Sequence, residues 1–365
     1  MEVRIFLPML ACALALLGSL AEATPPAPWI HDIVSIFESA EREAPERLDE
    51  LDRAASLALE ADQDADLRHV LRSHGVHDGL LLPVLLVDPE EPTVRRRWQM
   101  LLRDQVATQG LTHFGVARQG ERLAVIFVRR AFYPSGPPTR DPDGRHLVMS
   151  GLLERGYSEP VVYITRPDQR VVSFEPIILG RRVEFRVPTA PGATSTVEMI
   201  AAGPRGAEVV ALLTVDENGI AATTTRTDGQ HGRWEGTGMA SELIGRINRD
   251  RGTLGLEALS RDPVLQRTAS EHAKNMARMG VVAHVLPGGA PPAARLGDAG
   301  IRTRRFFENV AMARSVAQAH DELWASPSHR MALTDDLITH IGVGVARTLG
   351  ADGPVLYVVE HVAHR

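Results

Sequence analysis

Glu308-Asn309-Val310-Ala311, then Trp324 with Ser326-Pro327-Ser328-His329-Arg330, then His340-Ile341-Gly342-Val343-Gly344-Val345-Ala346, form one ordered series in the last third of the chain. Ala283-His284-Val285 precedes it. Ser326-Pro327 reads as a helix start, a capping side chain followed by proline at the first helical position, so His329 falls in that first turn. Ile338 to Ala346 and Val355 to Val362 read as strands, the second almost uninterruptedly apolar and therefore central. Upstream, Asp262-Pro263 is another cap-plus-proline start. Leu265, Ala269, His272, Met276 and Met279 follow at helical spacing, and Gly280 suits the stop. From about Met239 to the C-terminus the pattern is thus α then β.

His284, Glu308 and His329 carry the chemistry. Two imidazoles and a carboxylate are groups that hold a divalent metal or move protons. With a water in an open position they suit Zn²⁺ or another divalent cation, which would polarise a carbonyl or acidify the water for hydrolysis. In that reading the three residues are both the metal ligands and the catalytic groups. In the plainer reading Glu308 accepts nearby backbone hydrogen bonds and the histidines complete a buried polar network. Gly342-Val343-Gly344 is not a dinucleotide loop, because the third glycine and the following helix are missing.

The chain has 365 residues, a length that implies two or three domains. Its formal net charge of −6 gives nothing on which nucleic-acid binding could rest. Arg95-Arg96-Arg97 reads as a solvated helix face beside Trp98. At the N-terminus Arg4, an apolar stretch from Ile5 to Leu20 and Ala21-Glu22-Ala23 read as a secretory leader over residues 1–23. The only cysteine, Cys12, would leave with it, so the remaining chain would have no disulfide. Export to the periplasm or the extracellular space is expected, with no integral membrane span after cleavage.

Three segments follow the leader. Residues 30–133 read as an α/β lobe, with an acidic helical stretch from Glu38 to Asp66 and a buried strand at Leu123 to Val128. Pro134 to Gly144 reads as a linker. Residues 145–230 carry short β runs separated by Gly, Pro and Asp, as in an antiparallel β-sandwich. Glycines from Gly229 to Gly238 mark the junction to residues 239–365. The fold class expected is α+β and multidomain.

The outer segments align with each other. Fourteen residues separate Trp98 from His113-Phe114-Gly115-Val116-Ala117, and fifteen separate Trp324 from the motif at His340. Counting back sixteen residues from each tryptophan pairs Glu308 with Leu82, and counting forward five pairs His329 with Arg103. The first segment reads as a degenerate repeat that keeps the scaffold and loses the polar site. His113 and His340 are shared, so His340 is read as structural.

The third segment resembles the CAP superfamily (cysteine-rich secretory proteins, antigen 5, pathogenesis-related proteins) in its short bacterial form. The resemblance runs through Ile247-Asn248-Arg249-Asp250-Arg251, Leu265, Ala269, His272, Met276, Ala283-His284, Arg295-Leu296, Glu308-Asn309, Trp324 and His329-Arg330. It implies an α-β-α sandwich with a cleft whose histidines and acids bind divalent metal in some members. By motif, His284, Glu308 and His329 carry over. The acid that eukaryotic relatives place shortly after the helix tryptophan is absent, since Pro327 stands there, and Glu322 is a weak substitute. Phe307 and Ser328 replace usual glycines, and Phe307 is expected to narrow the cleft. The function implied is an exported protein presenting this cleft to a lipid, glycan, peptide or other envelope component. The alternative is a divalent-metal-assisted hydrolase acting on peptide or another envelope polymer.

Overall fold

The computed structural model describes residues 27–39, 41, 43–61, 67–103, 110–221, 238–350 and 353–365. The expected leader, with Cys12, lies outside the described residues, as does the junction after Ala221 up to Gly238. The chain divides into two compact units. Among the described residues, one comprises those from 27 to 155 with 177–195 and 209–221, and the other comprises those of 156–176, 196–208 and 238–365. None of the described helices is long and apolar enough to cross a membrane.

The first unit begins with α1 (Ala27–Ser39), β1 (Glu46–Arg47), α2 (Asp49–Glu60) and α3 (Leu67–Ser73). It continues with β2 (Leu80–Val87), α4 (Pro92–Leu101), β3 (His113–Gln119) and β4 (Arg122–Arg129). The acidic stretch holds the end of α1 and all of α2, the helical content expected of it, and Pro45 falls in the break between them, just before β1. Four residues after Pro45, α2 starts with Asp49, Glu50 and Asp52 in its first turn, where the helix dipole favours negative charge. The sheet order is β1-β3-β4-β2, with β1 parallel to β3 and the other pairs antiparallel. Leu123 to Val128 are fully buried because β4 is internal to this sheet. In α4, Arg96 and Arg97 are exposed as expected, while Arg95 donates to Asp32 and lies over the Trp29 ring.

The expected linker is partly folded. β5 (Phe132–Pro134) and β6 (Thr139–Arg140) both pair with β7 (His146–Leu153). A proline-rich segment can do this where its missing N–H faces no partner. β10 (Ile177–Leu179) and β11 (Arg182–Pro188) extend the same antiparallel sheet in the order β10-β11-β7-β5. β13 (Gly206–Asp216), of which residues from 209 belong here, closes a hairpin with β14 (Gly219–Ala221).

The second unit holds β8 (Ser158–Thr165), β9 (Val171–Phe174) and β12 (Ser195–Gly203), with β8 paired antiparallel to both others. Its C-terminal part runs α5 (Met239–Thr253), β15 (Ser260–Arg261), α6 (Pro263–Met279), α7 (Pro292–Asp298) and β16 (Phe306–Ala313). Then come α8 (Val316–Ala325), α9 (Pro327–Thr334), β17 (His340–Gly350) and β18 (Gly353–Ala363). Asp262 caps α6 by accepting from the amides of Val264 and Leu265, and Gly280 ends it in the left-handed conformation (φ 66°). The sheet order is β15-β17-β18-β16, so β18 is internal and β16 is an edge. One face packs on α5, α8 and α9 through Leu243, Ile247, Leu323, Leu333, Val343 and Val358. The other packs on α6 through Ala269, Ala273, Met276 and Val359. Gly342 lets α6 approach β17, since a Cβ there would collide with the Leu265–Gln266 backbone.

The sheet at each end of the chain has the same strand order and the same parallel and antiparallel pairs. Gly115 meets the Leu51–Asp52 backbone as Gly342 meets Leu265–Gln266. Val116 N donates to Asp52 Oδ1 at 2.7 Å, and Val343 N donates to Gln266 Oε1 at 3.2 Å. Thr112 and His113 Nδ1 lie 2.8 Å apart, as do Thr339 and His340 Nδ1. The ladders also correct the register expected from the tryptophans. Glu308 faces His361 and Pro83 faces Ile126, so Pro83, not Leu82, matches Glu308. The segment from this strand to the tryptophan is one residue shorter in the first unit, and counting along it slips the register by one.

Candidate functional site

β16 and β18 bring two polar pairs together on opposite faces of the sheet. Glu308 stands opposite His361, and Asn309 stands opposite Glu360. Side chains alternate along a strand, so neighbouring polar residues must face different layers. Glu308 and His361 face α6. Asn309 and Glu360 face α8 and α9.

On the α6 side, His284 Nδ1 is 2.9 Å from Glu308 Oε1 and His361 Nε2 is 2.8 Å from Glu308 Oε2. The Arg295 guanidinium, from α7, also pairs with Glu308 Oε2 and donates to the His284 carbonyl at 2.8 Å. Thr268 of α6 lies 2.9 Å from His361 Nδ1, which fixes the other edge of that ring. His272 Nε2 meets the Ala283 carbonyl at 2.9 Å, which holds the residue before His284. The Glu308 side chain is 2% exposed. Burial alone would raise its pKa. Hydrogen bonds from His284 and His361, with the charges of those rings, outweigh burial and hold the carboxyl well below the usual range.

On the other side, Asn309 Nδ2 donates to Glu360 Oε2 at 2.9 Å and to the His329 carbonyl at 3.3 Å. Glu360 has no solvent exposure and its Oε1 has no partner. Burial pushes its pKa up to about 7, against opposing effects from Asn309 and His320. His329 is half-buried on α9 and makes no hydrogen bond to His284 or Glu308. Burial, then the charge of His284, lower its pKa.

Of the three expected site residues, the structure joins His284 and Glu308 directly and places His329 nearby, on the helix covering the other face. From sequence, His361, Thr268 and Glu360 have no site role, and Arg295 enters only as part of the family resemblance. Glu360-His361 interrupts an apolar internal strand, and that pair of ionisable residues was the available signal. Phe307 packs against the core shared with α8 and α9, on the face away from Glu308. Glu322 accepts from Gln318 at 2.9 Å within α8.

A divalent ion does not fit this donor set as it stands. Both Glu308 oxygens are occupied by imidazole and guanidinium donors, and a cationic guanidinium lies where an ion would be neutralised. Among the described residues, only Asp141, Asp143 and His146 bring three ligand atoms within 4.8 Å of one another. That group is a turn in the first unit with Asp141 buried and Asp143 exposed, in which Asp141 accepts from the His146 amide at 3.1 Å and lies 2.8 Å from its ring.

Residues 244–361 match the family model described as CAP, the cysteine-rich secretory protein family, and the C-terminal third of this chain is a CAP domain. Among solved structures, the chain is similar to an outer surface protein from Borrelia burgdorferi, with 24% identity over 35% of this chain and 93% of that one, at a TM-score of 0.31. It is similar to an extracellular protein containing a SCP domain from Bacillus anthracis, with 17% identity over 64% of this chain and 88% of that one, at a TM-score of 0.32. A cysteine-rich secretory protein from Staphylococcus aureus aligns with 13% identity over 65% and 87% of the two chains, at a TM-score of 0.29. No curated protein matches.

Proposed function

We propose that this is an exported protein whose CAP domain uses the cleft at His284, Glu308 and His329 to bind a lipid, glycan, peptide or other envelope component without hydrolysing it. The observation that carries this reading is the saturation of Glu308. Its oxygens are held by His284, His361 and Arg295, so it is neither a free base nor an open metal ligand. A deeply ionised, fully engaged carboxylate fixes the orientation of its partners and leaves His284 to present its outer nitrogen to a ligand.

The first unit supports the same reading. We take its lobe as a degenerate copy of the CAP scaffold, with Pro83 at the place of Glu308, Ile126 at that of His361 and Val125 at that of Glu360. The same sheet order forms there without the polar groups, so the fold does not require them.

The test is retention of the purified protein on phospholipid vesicles, peptidoglycan sacculi and a glycan array, with product release assayed in parallel. Retention without product, lost in His284→Ala, is expected. Product release abolished by Glu308→Gln would replace binding with the hydrolase reading. For the metal, Zn²⁺ should leave the melting temperature unchanged, whereas a rise that disappears in His284→Ala/His329→Ala would restore a metal centre.

A further inference from the structure

We propose that Glu198, on β12 of the middle segment, is a positioning residue for His329, so that the middle sheet and the CAP domain build the cleft together. This rests on reading His329 as part of the site. Ser326 was expected to cap α9, but its side chain makes no capping bond to the helix. Its hydroxyl instead donates to Glu198 Oε1 at 2.8 Å. Pro327 has no N–H, and the next amide, Ser328 N, donates to Glu198 Oε2 at 2.7 Å. One carboxylate from β12 thus does the capping of α9, one residue before His329. A helix N-terminus favours such a charge, and two strong donors offset its burial at 1% exposure.

Two more contacts join the same sheet to the cleft. Gln169, in the β8–β9 turn, accepts from Arg330 Nη1 at 2.8 Å, on the other side of His329. The β12–β13 turn supports the His284 loop, where Val285 N donates to the Arg205 carbonyl at 3.1 Å. Gly206, which opens β13 just after that turn, has φ +97°, and a Cβ on it would stand 3.3 Å from His284 Cβ. The segments bearing both imidazoles are therefore held by residues outside 239–365. A sheet that served only as a spacer would have no use for a buried carboxylate with both oxygens committed to α9.

The experiment is histidine-selective NMR of the full chain at one fixed pH, comparing wild type with Glu198→Ala, Glu198→Gln and Ser326→Ala. The His329 imidazole signal is expected to move in Glu198→Ala and to move less in Glu198→Gln, which keeps one acceptor, while His113 in the first unit stays in place. Retention on the envelope material that wild type binds should fall at least tenfold in Glu198→Ala. A folded Glu198→Ala protein whose His329 signal coincides with wild type overturns the proposal. If that variant does not fold, Ser326→Ala decides in the same way, since it removes one contact and leaves the carboxylate. His329→Ala separates the two readings. Undiminished retention there would remove His329 from the binding site and leave its placement by Glu198 standing or falling on the NMR signal alone.

Discussion

Glu308 and His361 face each other across β16 and β18, 2.8 Å apart and both shielded from solvent. His361→Ala opens a cavity beside Thr268 and leaves a buried carboxylate oxygen one donor short. A loss of about 2–4 kcal/mol is expected, from an orphaned buried group together with lost packing. Thermal unfolding followed by circular dichroism measures it, and a change within error would show that the pair contributes nothing net.

Glu308→Ala should cost more. It leaves the Arg295 guanidinium and two imidazoles without their shared anion, and breaking a buried pair costs about 3–5 kcal/mol. The pH dependence has a definite sign. The folded pKa of Glu308 is depressed, so its contribution is complete above the unfolded value of about 4.3 and declines as pH falls below it. The stability gap between wild type and Glu308→Gln should be constant near neutrality and shrink below about pH 4.

Glu360 predicts the opposite slope. Its folded pKa is raised to about 7, so the folded state holds a proton that the unfolded chain has released. Wild-type stability should fall as pH rises from about 4.5 to 7, by roughly 3 kcal/mol from this group. Glu360→Gln keeps an acceptor for Asn309 and has no proton to lose. Denaturant melts at pH 5 and pH 7.5 should show the variant gaining on wild type at the higher pH, and parallel behaviour would refute the assignment.

Gly115→Ala and Gly342→Ala test the two sheets as a matched pair. Each added Cβ meets the backbone of the helix packed on the strand, at Leu51–Asp52 or at Leu265–Gln266. Backbone cannot swing aside as a flexible side chain can, so each change should cost more than about 3 kcal/mol. Limited proteolysis should show each variant loosening its own unit. A tolerated Gly115→Ala would argue against equivalent packing.

Much of this architecture could be read from local chemistry. Asp262-Pro263 and Gly280 bound α6 as expected, and Val161-Ile164, Arg182-Val187 and Thr196-Ile200 lie in strands. Signals of this kind depend on neighbours in sequence. The site was less legible because its partners meet across strands. His361 sits in a run that reads as apolar core, and only pairing β18 with β16 places it on Glu308. Glu198 was likewise hidden in Thr196-Val197-Glu198-Met199-Ile200, where it reads as one polar position in a half-buried strand. Its role depends on a helix 128 residues further along the chain. The single-residue slip between Leu82 and Pro83 has the same origin, since hydrogen-bond ladders fix register and tryptophan spacing does not.

The Glu198 cap also has a consequence in time. A chain made from its N-terminus completes β8, β9 and β12 before α9 exists. The residues that follow Ser326 therefore emerge toward a carboxylate already placed on a strand, and the cap that the last described helix takes comes from the earlier segment rather than from its own Ser326. Glu198→Ala should accordingly slow the late folding of α9, followed by refolding kinetics, more than it disturbs α6, which carries its own cap in Asp262.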